Sequence, residues 1–284
     1  MNCYSSHRNL QKNVNICKLR WDYEIKNHQQ YRTKKSAKKS SSTLLQIPQN
    51  TEVKVIGKKI KYDNNTPFVK VQYNSVTGFA NAKYILGLFI DSKSTGNKKY
   101  PQKATIANGD NSIKIKIPQQ TQFGSFCKLH GCSVAAVTVA LQLHDILLSP
   151  SGVHTFAKSF LSGYTGSKLT IYGTKRVINK KCPNKAVWKP FTGDNKAAVK
   201  ENIENAISKG YFVLFEQKSP IHTNIIIGRA TNGKYVIATN GKVKKVILNY
   251  LIKKALKGYK SKNKQCNWWN GRSAAGAGYV IVKR

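Results

Sequence analysis

The chain has 284 residues, with 49 lysines and arginines against 11 aspartates and glutamates, a formal charge of +38 and 40% hydrophobic content. That length and apolar content suffice for two modest cores, and no stretch approaches the roughly 20 apolar residues of a membrane span. Six cysteines scattered at positions 3, 17, 127, 132, 182 and 266 form no dense disulfide framework and contain no Cys-x-x-Cys pair. A zinc site from Cys127, His130, Cys132, Cys182 and Cys266 lacks finger spacing, so no metal or other cofactor is expected. Only seven of the 49 basic residues are arginine, whereas base-specific readout leans on arginine forks. The lysine excess suits general attraction to a polyanion, whether a phosphate-bearing wall polymer, an anionic membrane or nucleic acid, and no specific nucleic-acid motif is present. Compositional drift toward Lys, Asn and Ile is the alternative source of the charge.

Residues 1–20 are polar, basic and weakly patterned, and read as a mobile N-terminus without the apolar core of a secretory signal. Residues 21–90 read as short strands. Thr51 to Gly57 alternates polar and apolar, and Phe68 to Tyr73, Asn74-Ser75 and Thr77 to Ala80 form a hairpin pattern. Asn81 to Leu86 closes the unit. The strand Val53-Lys54-Val55-Ile56-Gly57, the hairpin from Val71 to Ala80 and the closing Lys83-Tyr84-Ile85 resemble the bacterial Src-homology-3 type repeats of cell-wall-binding modules. The resemblance implies a small all-β barrel, with Tyr31, Tyr73, Phe79 and Tyr84 as core and groove wall. The family's opening element is eroded here to Gln30 to Lys35.

Residues 91–116, with Ser92 to Asn97 and Asn108 to Asn111, read as a polar linker. Next comes Gly131-Cys132-Ser133, and Val134, Val137, Leu141 and Ile146 then recur at helical spacing through Leu147. A thiol at a helix N-terminus lies in the positive end of the dipole, which favours thiolate. Such a nucleophile needs a base in reach. His144 is about 18 Å along the same helix and is excluded. His154 follows the Pro150-Ser151-Gly152 turn, His130 would have to fold back, and His7 and His28 belong to the N-terminal region. His222 remains, opening the apolar run Thr223 to Gly228 that reads as a buried strand. A second run, Lys234 to Thr239, ends at Asn240. With a loop over 229–233, Gly228 pairs with Lys234, and the register sets His222 opposite Asn240. Cys127 is a rival nucleophile or disulfide partner, but its flanks read as loop.

Further along, Asp194-Asn195 cap a helix through Ser208, followed by a strand at 211–216, a basic helix at 248–256 and a last strand at 279–282. Helices followed by antiparallel strands give an α+β class.

The order Cys132, the strand Gly210 to Phe215, His222 and Asn240 resembles the papain-like peptidases of the bacteriocin-processing (double-glycine leader) type. The resemblance covers roughly Ile117 to Arg284. It implies a papain-like helix-plus-antiparallel-sheet domain over 117–284 and a Cys-His-Asn triad. The family's acidic third member is replaced by Asn240 or by Thr239. Its oxyanion glutamine is absent at position 126, where Phe stands, and Gln122 is the nearest of three candidates with Gln120 and Gln119. The implied activity is cysteine-dependent hydrolysis of amide bonds, on peptidoglycan peptides at a bacterial cell wall, by a monomer without cofactor. Such a protein would be secreted or wall-associated, or cytoplasmic before release. Cleavage of leader peptides is a second enzymatic reading, and a basic wall- or nucleic-acid-binding protein with a structural Cys132 is the non-enzymatic one.

Overall fold

The computed structural model describes residues 31–48, 51–93, 103–109, 112–118, 131–161, 164, 169–190, 196–217, 222–239, 241–262 and 278–284. The expected mobile segment 1–20 lies outside them. The class is α+β: five α-helices and three antiparallel sheets among the described residues.

The first sheet holds β1 (Tyr31–Lys34), β2 (Thr43–Ile47), β3 (Lys54–Val55), β4 (Lys61–Asp63), β5 (Thr66–Tyr73) and β6 (Val76–Asn81). Its order is β2-β1-β6-β5-β3, with β4 also on β5. The β5–β6 hairpin closes at Tyr73↔Val76 through Asn74 and Ser75, both at positive φ. That is the two-residue geometry whose twist matches the strands. Val69 and Val71 point inward at 0% exposure while Lys70 between them is exposed, the period-2 pattern of a one-sided sheet. Tyr73 and Tyr84 pack half-buried against this core. The expected closed barrel does not form among the described residues: β3 has two residues and pairs only with β5, so the ladder ends before it reaches β2.

The expected linker over 91–116 carries structure instead. β7 (Phe89–Lys93), β8 (Lys103–Ala107) and β9 (Ser112–Lys116) form a three-stranded antiparallel sheet. Ala104, Ile106 and Ile115 are essentially fully buried and share one core with the cysteine-bearing helix. Lysines and asparagines dominate the composition here, but the alternate positions that face the core are apolar. The polar Asn108 region is only a turn between two strands.

The third sheet has six strands in the order β10 (Ala186–Pro190), β15 (Gly278–Val282), β11 (Phe212–Gln217), β12 (His222–Arg229), β13 (Tyr235–Thr239) and β14 (Lys242–Val246). On one face lie α1 (Cys132–Leu141), α2 (Pro150–Phe160) and α3 (Ile171–Lys181), sharing a core with Leu214, Ile225, Ile227 and Ala238. On the other lie α4 (Lys196–Ser208) and α5 (Leu248–Lys262), against Val213, Phe215, Ile226 and Ile237. Consecutive strand residues thus feed opposite cores, which explains the continuous apolar run at 225–227. The Asp194-Asn195 cap expected for α4 lies outside the described residues.

Two element ends differ from expectation. The first helix stops at Leu141, passes through a 3-10 turn at Gln142–His144, and ends at Asp145 in the left-handed region, where Ile146 N–H reaches back to Leu141 O. Pro150 does not end a helix but begins one: Ser149 Oγ accepts from Gly152 N–H at 3.0 Å, with Pro150 in the first turn.

The first sheet is joined directly to the third. Leu88 bridges Arg229 in parallel, Arg229 N–H donates to Gly87 O at 2.8 Å, and Thr231 Oγ1 donates to Lys58 O at 2.9 Å. Gly87 has φ +70°, and a Cβ there would lie 2.1 Å from Ile207 O. Gly228 faces the same carbonyl so closely that its own Cβ would stand 2.6 Å from Gly87 O. Both glycines are required by close backbone approach. Gly87→Ala should therefore cost at least about 2 kcal/mol, from the left-handed penalty plus the clash. That corresponds to a melting temperature lower by about 4–8 °C in a chain of this size. Gly109→Ala is the control: φ is +86° but nothing lies within 4 Å, so only the smaller conformational cost should appear.

Candidate functional site

Nine of the ten residues of α1 are buried. A helix apolar on every side belongs inside a core, and here it is enclosed by α2, α3, β12 and β13. Only its first residue, Cys132, is half-buried rather than buried. Gly131 precedes it as an N-cap without a side-chain hydrogen bond, so the helix's first N–H groups have no side-chain acceptor there. The thiol is thus the one reactive group at the positive end of a helix that is otherwise sealed.

The start of β12 brings the partners. Thr223 N–H donates to Cys132 Sγ at 3.4 Å, and the His222 side chain lines the same cleft and acts on the thiol to lower its pKa. On its other side, His222 Nε2 is hydrogen-bonded to Thr239 Oγ1 at the end of β13. With Nε2 engaged, Nδ1 is the ring nitrogen left for the sulfur. Burial opposes ionisation of the thiol. The His222 ring, the Thr223 N–H, the charge on His222 and the Thr223 hydroxyl together outweigh it, so the Cys132 pKa falls below the usual thiol value. Ser133, next on α1, meets Thr223 through a hydroxyl–hydroxyl contact of 2.8 Å.

The cleft floor is apolar and small, with Ala135, Ala136, Val139 and Ala238 beneath Cys132 and His222, and Ile117 and Pro118 on one side. Two contacts hold that side wall. Gln142, buried at the far end of α1, takes the Lys116 N–H on Oε1 and gives Nε2 to Lys116 O, both at 2.8 Å. Gly241 N–H donates to Pro118 O at 2.9 Å. Residues on both sides of position 240 are thereby tied to the cleft.

Of the sequence-derived site residues, Cys132 and His222 meet across the α1–β12 junction. Asn240 and Gln122 lie outside the described residues, as do Gln119, Gln120 and Cys127. The described hydrogen-bond partner of the imidazole is Thr239. The strand register differs from the expected one. Arg229 pairs with Tyr235 and Gly228 with Val236, then a bulge at Ile227 leaves Ile226 opposite Ile237. The expected Gly228–Lys234 pairing fails because the turn spans Ala230 to Lys234, with Ala230 N–H donating to Lys234 O and Gly233 at φ +78°. His154 lies on α2 and hydrogen-bonds Tyr164 at 3.0 Å, remote in sequence and partner from the thiol. Among the described residues, no three His, Cys, Asp or Glu side chains gather as a metal site, and no helix is long and apolar enough to cross a membrane. Sequence reasoning missed Thr223 and Ser133; a hydroxyl residue after each of Cys132 and His222 was the available signal.

Against known protein families no family model matches this chain, and no curated protein matches it.

The two described free thiols separate in the opposite sense: burial pushes Cys182 up, despite Lys185 and Lys181, while Cys132 is lowered. Iodoacetamide at pH 7 followed by peptide mapping should label Cys132 at least about tenfold faster than Cys182. Because the Cys132 pKa is depressed on folding, its ionisation adds stability above the unfolded thiol pKa. That increment is lost as pH falls through the folded value. Equal labelling of the two thiols would remove the argument for an activated Cys132.

Proposed function

We propose that the chain is a cysteine hydrolase that cleaves amide bonds by acyl transfer, in a papain-like arrangement of helix and sheet. The observation that carries this reading is the contact of Cys132, at the head of α1, with His222, whose ring is hydrogen-bonded behind by Thr239. Nucleophile, base and orienting group in that sequence form the triad logic of acyl transfer.

The chemistry follows from the geometry. The Cys132 thiolate adds to the amide carbonyl, and the oxyanion faces the Cys132 backbone N–H, one of the end donors of α1 without an intrahelical acceptor. Gln122 is the candidate for a second donor. Protonated His222 gives its proton to the leaving amine as the carbon–nitrogen bond breaks, and a thioester on Cys132 remains. Neutral His222 then takes a proton from water, the hydroxide attacks the thioester, and the carboxylic acid leaves with the thiolate regenerated. Thr239 Oγ1 accepts from Nε2–H and so keeps the Nδ1 lone pair toward the sulfur. Asn240 is the alternative orienting group from the chain pattern.

For substrate, the resemblance of residues 21–90 to wall-binding repeats and the +38 charge support peptidoglycan peptides at a bacterial envelope. Because the first sheet is hydrogen-bonded to the third near Gly87, point substitutions suit the test better than truncation. Cys132→Ala should abolish hydrolysis of purified peptidoglycan peptides, and His222→Ala should lower it by at least about 1,000-fold, with folding retained by circular dichroism. Thr239→Val should cost about 10- to 100-fold, mainly in kcat, because the ring loses its tether while the substrate surface stays. Mass spectrometry should trap an acyl-enzyme on Cys132. Full activity in Cys132→Ala would overturn the reading.

A further inference from the structure

We propose that Ser133 and Thr223 form a buried hydroxyl relay that ends on Cys132 Sγ and stabilises the thiolate alongside His222. The inference rests on the reading of Cys132 as the nucleophile, and it assigns positioning roles to two residues outside the Cys-His pair.

The argument is an accounting of protons. Ser133 is 0% and Thr223 3% exposed, so water does not reach either hydroxyl. Each carries one O–H donor, and their contact of 2.8 Å uses one of the two protons. In the order Ser133 to Thr223 to sulfur, Ser133 O–H donates to Thr223 Oγ1, which frees the Thr223 O–H for Cys132. Thr223 is already against that sulfur, with its N–H at 3.4 Å from Sγ. In the proposed order the N–H and the hydroxyl of one residue serve the same sulfur. The Thr223 hydroxyl is among the groups that favour the ionised thiol. A donor that itself accepts a hydrogen bond is polarised and donates more strongly.

The relay also fixes geometry. α1 and β12 are 91 residues apart at the sulfur contact and 90 at the hydroxyl contact. Both contacts end on Thr223, one from Cys132 and one from Ser133, so two consecutive residues at the head of α1 are held to a single residue of β12.

The test reads thiolate formation without requiring a substrate. The rate of iodoacetamide modification of Cys132 in the full chain is measured from pH 5 to 10 by peptide mapping. Thr223→Val keeps shape and the backbone N–H but removes the hydroxyl, and should raise the midpoint by about one pH unit. Ser133→Ala should raise it by about half a unit, since it removes only the polarising donor. Thr223→Ser, which keeps the hydroxyl and loses a methyl, should leave the midpoint near that of the parent and so separates packing from hydrogen bonding. His222→Ala serves as the marker of the Cys-His pair. A midpoint raised by His222→Ala but unmoved by Thr223→Val overturns the relay and leaves the hydrolase reading standing. A midpoint raised by Thr223→Val but unmoved by His222→Ala supports the relay and overturns the hydrolase reading. Equal shifts in Thr223→Val and Thr223→Ser also overturn the relay, because the hydroxyl would then not be the cause.

Discussion

The burial of α1 around its whole circumference is the constraint on which the arrangement of the C-terminal half depends. A ten-residue helix of Val, Ala, Leu, Thr and Ser with nine residues buried has no solvent face to choose. It must be enclosed by α2 and α3 on one side and by β12 and β13 on the other. Its two ends are then the only places where polar groups can meet it. At the C-terminal end Gln142 satisfies both its amide groups on Lys116. At the N-terminal end the polar partners are Cys132, Ser133, Thr223 and His222. Chemistry concentrates at that end because the dipole and the unpaired N–H groups favour an anion there.

The pieces that wall the cleft come from distant parts of the chain: 117–118, 132–139, 222–223 and 238–239. What holds them together is a set of backbone contacts that tolerate little variation. Pro118 O receives Gly241 N–H, and Gly87 O receives Arg229 N–H at the opposite end of β12. The second contact sets the segment between the first sheet and β7 against the strand that carries His222. β12 is thus bounded at one end by the Gly87–Gly228 crossing and at the other by the thiol. The three-stranded sheet shares one core with α1, α2 and α3, which is why a polar composition over 91–116 did not mean an independent linker.

Local patterns were legible where one principle acted alone. The Cys132 helix start, the His222 strand, the Asn74-Ser75 hairpin and the helix ending at Ser208 each follow from periodicity or turn chemistry. Features decided by several parts of the chain at once were not. The strands β8 and β9 carry Lys103, Thr105, Lys114 and Lys116 between their buried positions, so composition masked an alternation that only burial makes visible. Pro150 looked like a terminator because its helix-starting role depends on Ser149 taking the Gly152 N–H. The His222–Asn240 register rested on a turn one residue too early. A bulge at Ile227, which no short motif announces, shifted it again. Thr223 and Ser133 were invisible for another reason: a threonine inside a strand and a serine inside a helix have ordinary structural uses, and only their 2.8 Å meeting sets them apart.

The hydrogen bond between His222 and Thr239 changes where the electrostatics of the site must come from. A carboxylate behind an imidazole both orients the ring and balances its charge, whereas a hydroxyl only orients it. In the Cys132–His222 pair the compensating interactions therefore gather on the sulfur side. They comprise the helix N-terminus, the Thr223 N–H at 3.4 Å and the hydroxyl pair behind it. The chain as a whole carries +38, and a field of that sign favours an anion wherever it is not screened. On the proposed reading a neutral third group suits such a background, because it sets no carboxylate behind the imidazole to repel the thiolate. The same positive field would draw an anionic wall polymer to the molecular surface. On the proposed reading, one compositional bias would favour both an ionised Cys132 in the cleft and an anionic polymer at the surface.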